Sequence, residues 1–193
     1  MYEFMTGDIV ERTPSYLVLE TGNVGYYINI SLYTYSHLPG RNPCQLFIHQ
    51  IVREDAHILF GFISREEREV FRQLISVSGI GANTARLILS SLGPMEIEQA
   101  INEGNVAILQ GIKGIGAKSA QRIIVDLKGK ISTAAEVDQL FPEQSNTLRD
   151  EALSALVNLG FTRKAVEKVL DQIFRGDDEL SMEELIREAL KKL

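Results

Sequence analysis

The first 63 residues alternate short apolar stretches with turn residues. The stretches are rich in Val, Ile, Tyr, Phe and Leu, which favour strands, and Pro, Gly, Asn and Asp mark the breaks between them. The predicted strands are YEFMTGDIVE, SYLVLET, VGYYINIS, QLFIHQIV and HILFGFI. Five or six short strands without a convincing helix predict a small β-barrel, and the five-stranded OB type is the favoured form.

The pattern changes to helical spacing at Ser64. Ser64 and Glu67 have the spacing of a capping box, and apolar residues then recur at Val70, Phe71 and Leu74. As far as residue 131, the following segments are typical of short helices separated by glycine. We therefore predict an all-α domain over residues 64–131.

The last third of the chain divides into a linker and a helical tail. Residues 132–148 are polar, lack periodicity and contain Pro142, which predicts a flexible linker. Residues 149–193 predict three amphipathic helices, separated at 160–162 and 176–181, with Ser181 and Glu184 as a second capping box. The expected fold class is α+β multidomain, with an OB-fold-like barrel at 1–63, the all-α domain, the linker and a small three-helix bundle.

Composition narrows the class of protein. The chain is 45% hydrophobic and 24% charged, its apolar runs are too short for a transmembrane helix, and its start lacks the features of a signal peptide. We expect a cytoplasmic protein with no membrane contact. The single Cys44 excludes an intrachain disulfide and a cysteine-built metal site, and His37, His49 and His57 lack metal-ligand spacing, so we expect no metal and no cofactor.

The charge is unevenly distributed along the chain. The net charge is −6, but residues 64–131 carry nine basic and seven acidic side chains, whereas both flanking regions are acidic. Residues 108–131 contain five basic side chains against Asp126 alone. A basic segment within an acidic chain favours a local nucleic-acid contact despite the overall charge.

The all-α domain contains an internal repeat. GIGANTARLIL begins at Gly79 and GIGAKSAQRII begins at Gly114, 35 residues later, and six of the eleven positions are identical. Each copy predicts an apolar helix end, a Gly-Ile-Gly turn and a helix that begins with small residues. The isoleucine between the glycines is expected to pack between the two helices.

Such a turn suits the binding of a phosphate. Glycine lets another molecule approach the backbone closely, and the free N–H groups at a helix N-terminus form a donor array at the positive end of the helix dipole. A single Gly-x-Gly could equally be a tight helix–helix turn, but two matched copies favour phosphate binding that is independent of base sequence. The candidate residues are Gly79, Gly81, Asn83, Thr84, Gly114, Gly116, Lys118, Ser119 and Arg122.

The repeats resemble paired helix-hairpin-helix motifs, and the whole chain resembles the bacterial RuvA family of Holliday-junction-binding proteins. The matching motifs occur in the order expected for that family. They are GNVGYYI, VREDAHILFGF, GIGANTARLILS, GIKGIGAKSAQRIIVDLKGK, and LVNLGF followed by LIREALKKL.

The resemblance implies a role for each part of the repeat and for one turn of the barrel. Both hairpins would hold phosphates of a four-way DNA junction, with Lys118 and Ser119 supporting the second site. The first hairpin of the family usually has a lysine where this chain has Asn83, so that site would bind more weakly. Glu54 and Asp55 would form an acidic pin at the centre of a tetramer, where it would help to separate the strands.

The resemblance also implies partners. The tail is similar to a ubiquitin-associated bundle, which in the family docks a hexameric ATPase motor of the RuvB type. The matching positions for exposed apolar anchors are Leu156, Leu159, Phe161 and Leu190, and each of them could equally fill the core of the bundle. A homotetramer, or an octamer on DNA, and a junction-resolving nuclease complete the expected partners in recombination and repair. The chain has no P-loop motif, so we expect a scaffold that is not itself an enzyme.

Two alternatives remain. A DNA glycosylase also uses a helix-hairpin-helix, but it needs a catalytic aspartate in a pocket beyond the hairpin, and Asp126 follows the second turn too closely. A protein-only adaptor would use the glycine turns for structure alone and would not bind DNA.

Overall fold

The structure is a computed structural model that describes residues 2–40, 42–129, 144–174 and 181–193. It contains two compact units, Met1–Ala134 and Ala135–Leu193. The first contains the barrel and the helices that follow it, and the second contains the helical tail.

Five strands close into a barrel in the order β1-β2-β3-β5-β4. β3 and β5 pair in parallel, and all the other neighbouring strands are antiparallel. The predicted barrel and its five strands are therefore confirmed. The strands are β1 Phe4–Arg12, β2 Tyr16–Thr21, β3 Val24–Ile30, β4 Cys44–Val52 and β5 His57–Phe62.

A short helix, α1 (Leu32–His37), interrupts the barrel sequence between β3 and β4. The prediction that the first 63 residues contain no helix is therefore wrong. The hydroxyl of Ser31 caps α1 by accepting the N–H of Thr34. Six residues are too few to show helical periodicity, and the Tyr-x-Tyr spacing within them imitates a strand.

The predicted capping box at the start of α2 (Arg65–Ser76) is half correct. Ser64 accepts the N–H of Glu67, but the carboxylate of Glu67 turns away to the barrel. It accepts hydrogen bonds from the hydroxyls of Ser31 and Thr34 and from the N–H of Ile63. This buried carboxylate therefore ties α2 to α1 and to the end of β5.

Four further helices follow in the part of the first unit that the structure describes, and all are amphipathic or short. They are α3 Ala82–Ser91, α4 Pro94–Glu103, α5 Val106–Gln110 and α6 Ala117–Leu127. Their apolar faces form one buried core with the inner face of α2, and Phe60 and Phe62 of β5 extend this core to the barrel. The barrel and the hairpins of this unit consequently hold a fixed relation to each other.

The described residues of the second unit form a bundle of three helices, α7 (Gln144–Asn158), α8 (Arg163–Ile173) and α9 (Met182–Lys192). The predicted capping box of Ser181 and Glu184 is present at α9. α7 begins inside the segment predicted as linker, and residues 130–143 of the chain lie outside the described residues. Most of the predicted break at 176–181 also lies outside them.

Candidate nucleic-acid interface

The two Gly-Ile-Gly turns have the same backbone geometry. Gly79 has φ 92° and Gly114 has φ 90°, a region that only glycine adopts without strain. In the first turn Ile80 donates its N–H to the carbonyl of Val77 at 3.0 Å, and in the second Ile115 donates to Ile112 at the same distance. The sequence repeat is therefore a structural repeat.

The isoleucine of each turn is buried, as the sequence predicts. Ile80 and Ile115 belong to the core shared by the hairpins, and each is 5% exposed. The glycines on either side of each isoleucine are exposed. Each turn is thus anchored by its central side chain and presents its backbone outward.

The second glycine of each turn begins the following helix without a side-chain cap. Gly81 starts α3 and Gly116 starts α6, and neither N-terminus has the side-chain hydrogen bond that Ser64 supplies to α2. The first four N–H groups of a helix have no acceptor within it. In both hairpins these amides lie in exposed or half-buried backbone, at the positive end of a helix of ten or eleven residues.

Open space lies in front of the glycines. A Cβ built on Gly81, Gly114 or Gly116 would meet nothing within 4 Å among the described residues. The φ values of Gly81 and Gly116, −86° and −81°, are ones that any residue adopts. Neither backbone strain nor internal crowding therefore requires glycine at these two positions, and the backbone there is open to close approach from outside.

The two cationic side chains of α6 lie at different hairpins, although the sequence places both in the second repeat. Lys118 is exposed on the first turn of α6, and Ser119 is half-buried beside it. Arg122 lies one turn further along α6, and its Nη1 donates to the carbonyl of Ser78 at 3.1 Å. The guanidinium thereby lies at the turn of the first hairpin, about 4.0 Å from a Cβ built on Gly79.

The first hairpin also faces the barrel. Asn83 and Thr84 line a cavity of about 530 Å³ together with side chains of β3, β4 and β5. Three other residues of the lining, Tyr27, Arg53 and His57, are not among the candidates from the sequence. Tyr27 lies in the motif GNVGYYI, and Arg53 and His57 lie in VREDAHILFGF on either side of the acidic pair.

Arg86 proves to be structural. Its Nη1 donates to the carbonyl of Ser15 at 2.8 Å and to Oδ1 of Asn29 at 3.1 Å. Because Ser15 and Asn29 belong to the barrel, Arg86 fixes the first hairpin against it. This guanidinium therefore orients the site rather than presenting a charge to a ligand.

The acidic pair lies at the tip of the β4–β5 hairpin. Arg53 donates its N–H to the carbonyl of Ala56 at 2.8 Å and closes a turn that contains Glu54 and Asp55. Both carboxylates are exposed, and within the described parts of the chain neither forms an ion pair. The turn therefore presents two uncompensated negative charges to the outside.

The four apolar candidates in the bundle separate into two groups. Leu159 is 63% exposed and Leu190 is 44% exposed, while Phe161 is half-buried against the bundle core. Leu156 is fully buried in that core, so the expectation that it is an exposed anchor is wrong; it lies on the inner face of α7. Val157, which has the helical spacing of a core position, is 39% exposed.

The described residues show no cluster of three or more His, Cys, Asp or Glu side chains that could hold a metal ion. Nor do they include a helix with the length and apolar character needed to cross a bilayer.

Comparison with protein families matches nearly the whole chain. Residues 1–61 match the RuvA N terminal domain, residues 71–130 match a SAM-like helix-hairpin-helix tandem, and residues 147–193 match the RuvA C-terminal domain.

Curated relatives match over the full length of both chains. Proteins from Christiangramia forsetii and Flavobacterium psychrophilum are 48% and 49% identical over 193 residues, and one from Porphyromonas gingivalis is 45% identical over 202. Each of these three relatives is named Holliday junction branch migration complex subunit RuvA.

Proposed function

The chain belongs to the RuvA family, and on that premise we propose that it binds four-way DNA junctions and recruits a motor for branch migration. The observation that carries the proposal is the pair of equivalent turns with uncapped helix N-termini behind Gly81 and Gly116. They offer backbone donors to two phosphates at a fixed separation. The glycosylase and adaptor alternatives have no comparable support.

Binding through these turns is independent of base sequence. Main-chain N–H groups and the cations of Lys118 and Arg122 recognise phosphate oxygens, which every nucleotide provides. α3 and α6 do not enter a groove in this mode, because only their first turns contact the ligand. Specificity for a junction then comes from the geometry of several phosphate sites held together.

Selectivity for a junction requires several copies of the chain. One copy supplies two hairpins and one acidic turn, whereas a four-way junction has four arms around one crossover. We propose a homotetramer whose hairpins hold the arms and whose turns at Glu54 and Asp55 meet at the centre. Their negative charges repel phosphates and help to separate the strands there; a second tetramer on the opposite face would form an octamer.

The bundle serves as the docking site for the motor in this proposal. Leu159 and Leu190 are exposed leucines outside the bundle core, at positions that the family resemblance assigns to the contact with the motor. The partner is a hexameric ATPase of the RuvB type, which supplies the ATP hydrolysis for which this chain has no P-loop. The chain itself is a scaffold without catalysis, and it acts in the cytoplasm, where bacterial DNA lies, with a junction-resolving nuclease as a further partner.

The experiment that tests the function compares two DNAs. A four-way junction and a linear duplex with the same arm sequences are titrated with the protein at several salt concentrations, and the mass of each complex is measured. We expect the junction to bind more tightly, as a complex of four or eight copies, with an affinity that falls steeply with salt. Equal affinity for the two DNAs, or a monomer on the junction, would contradict the proposal.

A further inference from the structure

The cavity between the barrel and the first hairpin has the character of a nucleotide site. Its volume of about 530 Å³ lies within the range of roughly 300–1,000 Å³ found for small-ligand sites. Its walls come from four elements: β3, β4, β5 and the first turn of α3. The barrel side of this space has no role in the function proposed above, whereas Gly81, Asn83 and Thr84 on its other side belong to the phosphate site of the first hairpin. The two uses coincide when the phosphate that this hairpin holds belongs to the nucleotide in the cavity.

One side of the cavity suits a phosphate. Arg53 contributes a cation from the end of β4, and Asn83 and Thr84 lie on the first turn of α3, where amide N–H groups lack helical acceptors. A guanidinium and a helix N-terminus at one cavity are complementary to a single phosphate group. The helix N-terminus is thus paired with an independent cationic side chain.

The other side suits a base. Tyr27 is 55% exposed on β3, and it lines the cavity together with aliphatic side chains of β4 and β5. Its ring stacks on Tyr16 with the centroids 4.6 Å apart, and the Tyr16 hydroxyl donates to Glu11 at 2.6 Å. Tyr27 is therefore held in position before any ligand arrives. Aromatic rings on barrel strands are the surfaces on which OB folds stack bases.

The cavity offers little to distinguish one base from another. Asn29 lines it, but both ends of its amide are already used: Oδ1 accepts from Arg86, and Nδ2 donates to the carbonyl of Leu59 at 3.2 Å. The other polar side chains of the lining are Arg53, His57, Asn83 and Thr84. Stacking accepts a base of any kind, so recognition that relies mainly on Tyr27 is independent of sequence, as a junction that moves along DNA requires.

The position of the cavity indicates where its nucleotide comes from. Arg53 immediately precedes the acidic turn of Glu54 and Asp55. Under the proposed function, on which this inference rests, base pairs are open next to that turn. An unpaired base requires less energy to leave the stack than a paired one.

We propose that this cavity receives one unpaired nucleotide from the junction crossover, with its base against Tyr27 and its phosphate between Arg53 and the N-terminus of α3. While the cavity holds the displaced base, that base cannot pair again with the base to which it was paired before. The site therefore favours the open crossover over the paired one at each step of migration.

Photocrosslinking tests this directly. A thymine at the crossover is replaced by 5-iodouracil, the full-length protein is bound to the junction, and long-wavelength irradiation is followed by mapping of the attached peptide. We expect attachment at Tyr27, and none when the same base is placed in the middle of an arm. Equal attachment from the arm position would show that only backbone passes the cavity and would overturn the proposal.

Variants separate this proposal from the function on which it rests. Tyr27→Leu should lose the crosslink and weaken binding to a junction with unpaired crossover thymines by about tenfold. Tyr27→Phe should keep both, and so should Tyr2→Leu, which alters another exposed tyrosine of the barrel that lies outside the cavity lining. If wild-type protein binds the junction without attachment at Tyr27, the cavity proposal fails alone; if it does not bind the junction, the proposed function fails.

Discussion

Arg122 of α6 donates a hydrogen bond from Nη1 to the carbonyl of Ser78, 3.1 Å away in the turn of the first hairpin. A side chain of the second repeat thus reaches the turn of the first. The first repeat has no cation at the matching position, which is Leu87, and it has Asn83 where the second has Lys118. The second repeat consequently supplies a cation to each turn, Arg122 to the first and Lys118 to its own.

Replacing Arg122 with Gln should weaken junction binding through the first hairpin. The variant loses the cation beside Gly79 but keeps a side chain that can donate to Ser78. We expect lower affinity at low salt and a slope of log affinity against log salt that is smaller by about 0.9, the value for one lost phosphate contact. Lys164→Gln removes the same charge from the bundle and should leave both quantities unchanged; an unaltered slope in Arg122→Gln would contradict the assignment.

The glycines at the helix starts provide a test that spares the fold. Gly81→Val and Gly116→Val together place branched side chains in front of both amide arrays, at φ values that valine adopts readily. We expect junction affinity to fall by on the order of tenfold or more, because phosphates can no longer approach, while the free energy of unfolding changes by about 1 kcal/mol or less.

Gly40→Val is the matched control for this pair. Gly40 is also exposed and also has open space in front of a Cβ, but it lies in a barrel loop. Its variant should bind the junction as the wild type does. The affinity is measured by titration with a labelled junction. If the double variant binds as tightly as the wild type, the turns do not contact the DNA.

The sequence predicted correctly those elements that depend on residues close together in the chain. The alternation of apolar residues located the five strands, and the Ser181–Glu184 box located the start of α9. The repeated glycines predicted two matching turns because each turn needs a positive φ at its first glycine, whatever the rest of the fold. Gly79 and Gly114 have φ values within two degrees of each other.

The predictions that failed, and the contacts that were not predicted, depend on residues that are distant in the sequence. Glu67 has the spacing of a capping box, but its carboxylate has donors at Ser31 and Thr34, more than thirty residues earlier. Which leucines of the bundle face outward depends on how three helices pack, so Leu156 and Leu159 could not be separated from sequence alone. The link from Arg122 to Ser78 likewise requires the fold.

Glu67 should make the stability of the first unit dependent on pH. Burial raises the pKa of this carboxyl above its usual 4.5, although hydrogen bonds from Ser31, Thr34 and Ile63 oppose the shift. The folded state therefore binds the proton more tightly than the unfolded chain. The contribution of Glu67 to stability is complete below the unfolded-state pKa and is lost as the pH rises through the folded-state pKa.

Two substitutions measure this contribution. Glu67→Gln retains an acceptor for Thr34 and Ile63 and should remove this part of the pH dependence. Glu67→Ala leaves buried donors without an acceptor and should cost about 1–3 kcal/mol at low pH, with a smaller cost as the pH rises. All six tyrosines lie within residues 1–63 and the chain has no tryptophan, so tyrosine fluorescence during urea unfolding reports on the barrel.

Glu66→Gln is the control for Glu67. It removes a carboxylate from the same helical turn, but hydrogen bonds from its own amide and from Ser64 lower the pKa of Glu66, so its effect on the pH profile should have the opposite sign. A pH profile of Glu67→Gln identical to that of the wild type would show that Glu67 does not titrate differently in the folded state.

The exposed leucines of the bundle should matter for the motor and not for DNA. Leu159→Ser with Leu190→Ser removes apolar surface that lies outside the bundle core, so helix content and junction affinity should remain, while stimulation of a RuvB-type ATPase on the junction should fall severalfold. Leu148→Ser alters a third exposed leucine of the same unit and should retain stimulation. Leu156→Ala should instead destabilise the bundle by about 2–5 kcal/mol, since it leaves a cavity in the core. Full stimulation by the Leu159 and Leu190 double variant would place the docking surface elsewhere.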